Sequence, residues 1–341
     1  AQENKRTEVQ QGDVLLTIVG TIGRCAVVGN LTQPFTLQRS VAVLKPKREI
    51  VNSRFLMYTL RGMLIEITSR ARGVAQKGIY LKSLKKLTIS LPPLPEQQRI
   101  VAKLDAAFAE IDKAIQIEEG KNVQIPRLLS NTISTKIQKM MMANGIKPLA
   151  EFCELKNGFA FKSNKFRDTG TPVLRISNIQ DGSITTDKMV YASQEDYKEN
   201  LDKYIVKKDA LLIAMSGATT GKVGINRSEQ DFYLNQRVGM LIPKKSLDRD
   251  FLYFFLTTKV NELLNISAGA AQPNLSAKQI REIELPNITL HEQKLFSESL
   301  NGLKVEIDLL QCTSAQKIAQ LTTLKSAILA QELQPPQSEA A

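Results

Sequence analysis

The chain has no tryptophan, one histidine and three cysteines in 341 residues, and aromatics make up only 6% of it. Cys25, Cys153 and Cys312 are far apart and odd in number, which argues against a disulfide framework or a thiolate metal site and leaves them as ordinary buried or semi-buried thiols. The lone histidine, His291, lies at a proline junction, where a capping or surface role suits it. No Asn-Pro-Pro-Tyr or Asp-Pro-Pro-Tyr motif, glycine-rich cofactor fingerprint, metal-ligand cluster or Ser-His constellation appears, so catalysis by this chain is not expected. No apolar run approaches the roughly 18 residues that span a bilayer. Residues 1–11 are polar and lack a signal-peptide pattern, and a cytoplasmic, soluble protein is the expectation.

Acidic residues are also scarce relative to basic ones, 34 against 46, for a formal net charge of +12. The excess is uneven: residues 1–95 carry +10, residues 96–145 carry +1, residues 146–290 carry +3 and residues 291–341 carry −2. Basic globular parts beside near-neutral remainders point to a polyanion held by the globular portion, with nucleic acid the leading candidate. Lysines serving solubility alone are the alternative on charge.

What is present is organised around Leu91-Pro92-Pro93-Leu94-Pro95-Glu96-Gln97-Gln98-Arg99-Ile100, a proline-rich run that opens into a long amphipathic pattern. Proline suits a helix entry because its φ is fixed and it has no backbone donor, and Glu96 in the first turn complements the helix dipole. A second such junction, Leu285-Pro286-Asn287-Ile288-Thr289-Leu290-His291-Glu292-Gln293, repeats it at an offset of 196 residues. The same offset recurs elsewhere, so the chain is a tandem repeat.

Asp13 to Val19 and Asp209 to Met215 read as matching strands, and each enters a glycine-rich turn. The first turn is Gly20-Thr21-Ile22-Gly23-Arg24; the second, Ser216 to Lys222, reads as one residue longer. Glycines allow close approach to a phosphate, and Arg24, Thr219, Thr220 and Lys222 supply donors. A P-loop is rejected, because three residues rather than four separate Gly217 from Gly221 and Val223 follows Lys222.

Next come Gln38-Arg39 and Gln236-Arg237, each at the start of an apolar strand. Their donor geometry suits base edges in the major groove, and equally suits a structural bond inside the domain. Phe55 to Leu60 and Phe251 to Leu256 read as core helices. Residues 73–79 and 269–275 are small-residue and amide-rich loops leading to a final strand; Gln76, Lys77, Gln272 and Asn274 there are contacts or plain loop residues.

Two helical stretches of about 40 residues complete the repeat, each about 60 Å long at 1.5 Å per residue. Apolar residues run Ile100, Leu104, Ala107, Ile111, Ala114, Ile125, Leu128 in one and Phe296, Leu300, Leu303, Ile307, Leu310, Leu321, Leu324, Ile328 in the other. Steps of four and three define a coiled-coil seam, with polar Glu118 and Lys121, and Ser314 and Lys317, in matching gaps. Helices of this kind must pair with each other or with a partner. Gly120 and Pro126 are expected to kink or break the first, and the tail from Gln334 reads as disordered.

At this point the chain resembles the specificity subunit of type I restriction-modification systems. The resemblance rests on the junction at 91–100 and its weaker copy at 285–293, the Gly-Ala-Thr-Thr-Gly-Lys-Val run at 217–223, Val173-Leu174-Arg175-Ile176-Ser177-Asn178-Ile179, and the repeat itself. It implies an α+β fold with two α/β target-recognition domains in tandem repeat, separated by two long helices forming an antiparallel coiled coil. The boundaries would be 1–95 and 146–290 for the domains, 96–145 and 291–333 for the helical regions and 334–341 for the tail. The implied function is reading a two-part double-stranded DNA target and recruiting methyltransferase and restriction/translocase subunits. Arg175, Ser177 and Asn178 join the DNA-contact set, and Glu96, Gln97, Arg99, Glu292 and Gln293 form a partner-binding set. No cofactor is expected on this chain; S-adenosylmethionine, ATP and Mg²⁺ belong on the partner subunits. Subtracting the offset places the start of the first copy about 49 residues before Ala1, so an incomplete first domain is expected. The rival readings are a single-chain methyltransferase or nuclease, and a coiled-coil scaffold without DNA binding.

Overall fold

The structure, a computed structural model, describes residues 8–33, 35, 37–71, 78–180, 182–267 and 274–334. The residues beyond Gln334, read as a disordered tail, lie outside the described residues. The chain folds as two compact units, residues 1–121 with 312–341 and residues 122–311.

In the first unit, short continuous apolar runs build an antiparallel sheet of β1 (Val14–Thr17), β2 (Cys25–Val27) and β3 (Val41–Leu44), in the order β2-β1-β3. The helix Ser53–Gly62 follows, capped by Asn52, whose side chain accepts from the Arg54 and Phe55 amides. Its residues Phe55 to Leu60 are all buried, and the helix packs with Val14 and Leu16 of β1 and with Ile18 just past it.

The second unit is larger. Its main sheet joins β5 (Cys153–Asn157), β11 (Leu211–Ala214), β12 (Val223–Ile225) and β14 (Val238–Pro243) in the order β12-β11-β14-β5. A second sheet joins β6 (Thr171–Leu174), β9 (Val190–Ala192), β10 (Ile205–Val206) and β13 (Phe232–Leu234), with β13 parallel to β6. Two-stranded ladders pair β4 (Ile146–Pro148) with β15 (Glu284–Pro286) and β7 (Ile179–Gln180) with β8 (Ser183–Ile184). The helix Arg249–Ser267 buries Phe251 to Leu256 against the main sheet, with Phe251 and Phe255 fully enclosed.

Strand register verifies the repeat and corrects one detail of it. Leu16 sits between Cys25 and Ala42, and Leu212 sits between Gly224 and Met240. β1, β2 and β3 thus correspond to β11, β12 and β14. Residues 17–24 lie between the paired Leu16 and Cys25, against residues 213–223 between Leu212 and Gly224, so the second turn is three residues longer rather than one. Motif spacing missed this because the extra residues extend beyond the two glycines.

The final strand also differs from expectation. A short helix comes first in both copies, Leu81–Leu84 and Ala277–Arg281, the second closed by a capping box between Ser276 and Gln279. The second copy then forms β15, whereas residues 88–90 of the first are not in a strand.

The long helices run Leu94–Asn144 and Leu290–Glu332, 51 and 43 residues. The first continues through Gly120 and Pro126 without a break. Within the first unit they pair antiparallel: Lys103 meets Glu332 at 2.6 Å, Asp112 meets Lys325 at 2.6 Å and Glu118 meets Lys317 at 2.7 Å. Ile100, Leu104, Phe108 and Ile111 pack there with Leu321, Ile328 and Leu329. In the second unit Ile133 and Ile137 join Phe296 and Leu300 in one core. The predicted seam holds only in part: Leu128, Leu303, Leu310 and Leu324 are exposed, and Leu129 packs inward instead of Leu128. A straight helix of 3.6 residues per turn loses register with a 3.5-residue repeat, and here the sheet domains compete for its apolar face.

Glu118 occupies the polar gap of the seam. It is 5% exposed, and its Oε1 accepts from Lys317 at 2.7 Å and from Lys121 at 3.0 Å. Ser314, its counterpart one repeat later, donates to Oε2 at 3.2 Å. The Lys317 bond, then Lys121, hold this carboxyl well below its usual 4.5, at about 2, against the opposing effect of burial. A carboxylate depressed in the folded state contributes stability above its unfolded pKa and loses it as pH falls through the folded value. Glu118→Gln is therefore expected to lower the unfolding midpoint at pH 7, with the gap to the parent closing between about pH 4.5 and pH 2. Melting curves across that range check it; a gap that stays constant with pH would rule out the ionic contribution.

Candidate nucleic-acid interface

In the second unit backbone bonds gather the predicted residues at one end of the main sheet. Met215, just past β11, donates to the Arg237 carbonyl at 2.9 Å and accepts from the Leu275 amide at 2.7 Å. Ser216 bridges Asn274, so Asn274 is pinned beside the Gln236-Arg237 turn. The Gln236 amide donates to the Phe159 carbonyl at 2.9 Å and the Asn235 amide to Leu174 at 3.2 Å, which brings the 175–178 turn to the same end. Gly158 allows this approach, since a Cβ there would lie 2.2 Å from the Asn235 carbonyl oxygen. Thr219 closes the set by donating to the Ile176 carbonyl at 3.1 Å, and Gly217 at φ +77° permits that close packing.

Exposure sorts these residues. Ser177, Gln236, Arg237 and Asn274 are exposed; Arg175, Thr219 and Lys222 are half-buried. The Arg175 guanidinium is steadied by a 3.1 Å bond to the Lys188 carbonyl. Asn178 and Thr220, predicted as DNA contacts, are each 1% exposed and belong to the framework. Asn178 accepts from the Arg175 amide at 3.0 Å and donates to the Thr185 carbonyl at 3.1 Å, and Thr220 donates to the Gly217 carbonyl at 2.7 Å. Neither side chain can meet a duplex without opening its turn.

The first unit repeats the arrangement with its Gln-Arg pair one residue earlier, since Ser40 stands where Arg237 does. Ile18, just past β1, donates to the Ser40 carbonyl at 2.8 Å and accepts from the Ile79 amide at 2.8 Å. Arg24, Gln38 and Arg39 are exposed there. Gln76, Lys77 and Gln272 lie outside the described residues.

The predicted partner-binding set divides in the same way. Gln97 and Gln293 are 0% and 2% exposed and face inward. Gln97 accepts from the Asn52 amide at 2.8 Å and donates to the carbonyls of Ile50 at 2.9 Å and Pro92 at 2.8 Å. Gln293 accepts from the Asp248 amide at 2.8 Å and donates to Ser246 at 3.2 Å and Ile288 at 3.1 Å. Every partner is displaced by the repeat offset, so the two glutamines are one structural device used twice. Each clamps the capping residue of a core helix to the start of a long helix. The sequence signal was this pairwise offset, which marks a shared structural need as readily as a shared partner.

Glu96 pairs with Arg99 at 2.8 Å, which holds its carboxyl below the ordinary range, while Glu292 is lowered by its bonds to Thr289. These residues edge a groove in each unit. Pro92, Glu96, Arg99, Ile100 and Lys103 line one of about 320 Å³ with residues 331–334. Ile288, Glu292, Leu295, Phe296 and Ser299 line one of about 490 Å³ with Lys136, Lys139, Met140 and Asn144. His291 is exposed on the second helix start.

Among the described residues no group of His, Cys, Asp and Glu could hold a metal ion. Burial pushes the Cys25 thiol up to about 11 and that of Cys153 to about 12, while Cys312 is exposed rather than semi-buried. Among the described residues no helix is long and apolar enough to cross a membrane.

Two sheet-based units that each carry an edge of exposed guanidinium and amide groups, and that share a pair of long helices, have the build of a modular DNA-specificity chain. Residues 1–127 and 144–320 match the family described as type I restriction modification DNA specificity domain. The MjaVIII specificity subunit of Methanocaldococcus jannaschii is 24% identical over 318 residues, covering 88% of this chain and 74% of that protein. The EcoBI specificity subunit of Escherichia coli is 23% identical over 347 residues, covering 92% and 72%. A chain solved in work on complex assembly of the type I R-M system superposes with a TM-score of 0.78 at 20% identity, over 97% of this chain and 83% of its own. The HsdS subunit from Thermoanaerobacter tengcongensis gives 0.54 at 19% identity, over 96% and 81%. The chain belongs to the type I restriction modification DNA specificity domain family, and is a non-catalytic DNA-recognition chain of a type I restriction-modification system.

Proposed function

We propose that the chain reads a two-part double-stranded DNA target, one part with each unit, and carries methyltransferase and restriction/translocase subunits to it. The observation that carries this reading is that each unit presents an exposed Gln-Arg pair, Gln38-Arg39 and, one register position later, Gln236-Arg237, beside the pinned end of β1 and of β11. Residues 1–95 and 146–290 serve as target-recognition domains, and 96–145 and 291–333 as helical regions that hold them. The paired grooves at Glu96-Arg99 and at Glu292 offer one partner type two equivalent docking places. Exposed Val123, Leu128, Val305 and Leu309 along the helices suit the same role. S-adenosylmethionine, ATP and Mg²⁺ act on the partner subunits in this scheme, in the cytoplasm.

Arg39→Ala and Arg237→Ala test the reading. At a phosphate contact alanine weakens binding to all sequences and lowers the salt slope by about one; at a base contact it relaxes one position and costs about 1 to 3 kcal/mol. Arg175→Ala and Lys222→Ala belong in the same series. If all four variants bind like the parent across a salt titration, these residues do not face DNA. Incubating the chain alone with DNA and S-adenosylmethionine or Mg²⁺ should leave the DNA unmodified, and a modified product would favour a single-chain enzyme. Absence of salt-sensitive binding by the parent would favour a scaffold.

A further inference from the structure

Past Ile79 and Leu275 each unit carries a short basic helix that its sequence pattern does not mark, Leu81–Leu84 in the first and Ala277–Arg281 in the second. It begins directly after Ile79 and Leu275, the residues whose amides bind the ends of β1 and β11. The helix therefore starts within a few residues of the edge that presents Arg39 or Arg237.

Comparing the two copies at the repeat offset shows which features they share. Tyr80, Leu81, Ser83 and Lys86 become Ser276, Ala277, Gln279 and Glu282, changes of size and charge. Lys82 becomes Lys278, Lys85 becomes Arg281 and Leu84 becomes Ile280, so two basic positions and one apolar position persist. The apolar position has a packing role: Ile280 is fully buried and Leu84 packs on the first unit's core. The basic positions do not, since all four side chains are exposed. Among the described residues Lys82, Lys85 and Arg281 form no ion pair, and Lys278 meets Glu282 only at 3.8 Å with 84% and 60% exposure. The anchored apolar residue, and in the second unit the Ser276-Gln279 box with bonds of 2.8 and 3.2 Å, hold these charges in fixed places.

We propose that these short helices are a second DNA-contacting element in each unit, holding backbone phosphates through Lys82 and Lys85 in the first and Lys278 and Arg281 in the second. The inference rests on the DNA reading proposed above. Phosphates are the natural target because an ammonium is a point charge without the fork geometry of base readout, and because one position tolerates either Lys or Arg. The contact is thus expected to add affinity and no sequence preference.

The test uses the full chain and a random-sequence duplex of about 30 base pairs, with affinity followed from low to moderate salt by fluorescence anisotropy. Each phosphate contact adds about 0.9 to the slope of log affinity against log salt, so Lys82→Gln/Lys85→Gln and Lys278→Gln/Arg281→Gln should each lower it by about 1.8. Glu282→Gln, which frees Lys278 of its acidic neighbour, should strengthen binding. Thermal midpoints equal to the parent's would show that the exposed substitutions leave the fold intact. Variants that bind with the parent's slope overturn this inference while leaving the proposed function standing. A parent with no salt-sensitive binding overturns both.

Discussion

Gln293→Leu is expected to destabilise the second unit by about 3 to 5 kcal/mol, far more than removal of one surface amide. The side chain is 2% exposed and satisfies the Asp248 amide and the carbonyls of Ser246 and Ile288. Leucine has nearly the same size, so packing is kept while three backbone groups lose their partner. A buried group left without a hydrogen bond costs about 1 to 3 kcal/mol, and part of that loss is recovered by water or local relaxation. Gln97→Leu should do the same to the first unit, through Asn52, Ile50 and Pro92. Urea unfolding followed by amide exchange in each unit reads both effects. A shift below about 1 kcal/mol for both variants would show that the clamp is not a stability element.

The second large effect is expected from length. Adding one heptad to each long helix keeps the apolar stripe facing its partner and adds about 10 Å to the pair, at 1.5 Å per residue. On B-DNA at 3.4 Å per base pair this is about three base pairs. On the proposed function, the heptad variant assembled with a methyltransferase subunit should modify the same two half-sites across a longer non-specific gap. The twist of DNA also turns one half-site relative to the other, so weaker binding is expected as well. Modified sites with an unchanged gap, or with altered half-sites and the gap preserved, would show that the helices are not the ruler.

Much of this was legible in the sequence because duplication supplies an internal comparison. The core helices were readable from Phe55 to Leu60 and Phe251 to Leu256, since runs of large aromatic and aliphatic residues, interrupted only by Thr59, have no solvent face to offer. The strand ends and the exposed Gln-Arg pairs followed from apolar runs bounded by turn residues. The inward turn of Gln97 and Gln293 was not legible: a repeated amide beside a repeated carboxylate looks like a partner motif until Asn52 and Asp248 are seen against them. Asn178 and Thr220 misled for the same reason, as turn residues that bond their own backbone resemble donors offered to a ligand. The seam at Leu128 and Leu324 failed because a heptad pattern assumes that the facing helix alone takes the apolar side chains. Lys82 and Lys278 went unnoticed because helices of four and five residues carry too little periodicity to register.

On this reading the chain supplies sequence choice and no chemistry. It is tested most directly by mapping methylated bases in cells that hold the partner methyltransferase subunit with and without this chain. A two-part motif with a fixed non-specific gap, modified only when the chain is present, is expected. Methylation at the same motif in its absence would contradict it.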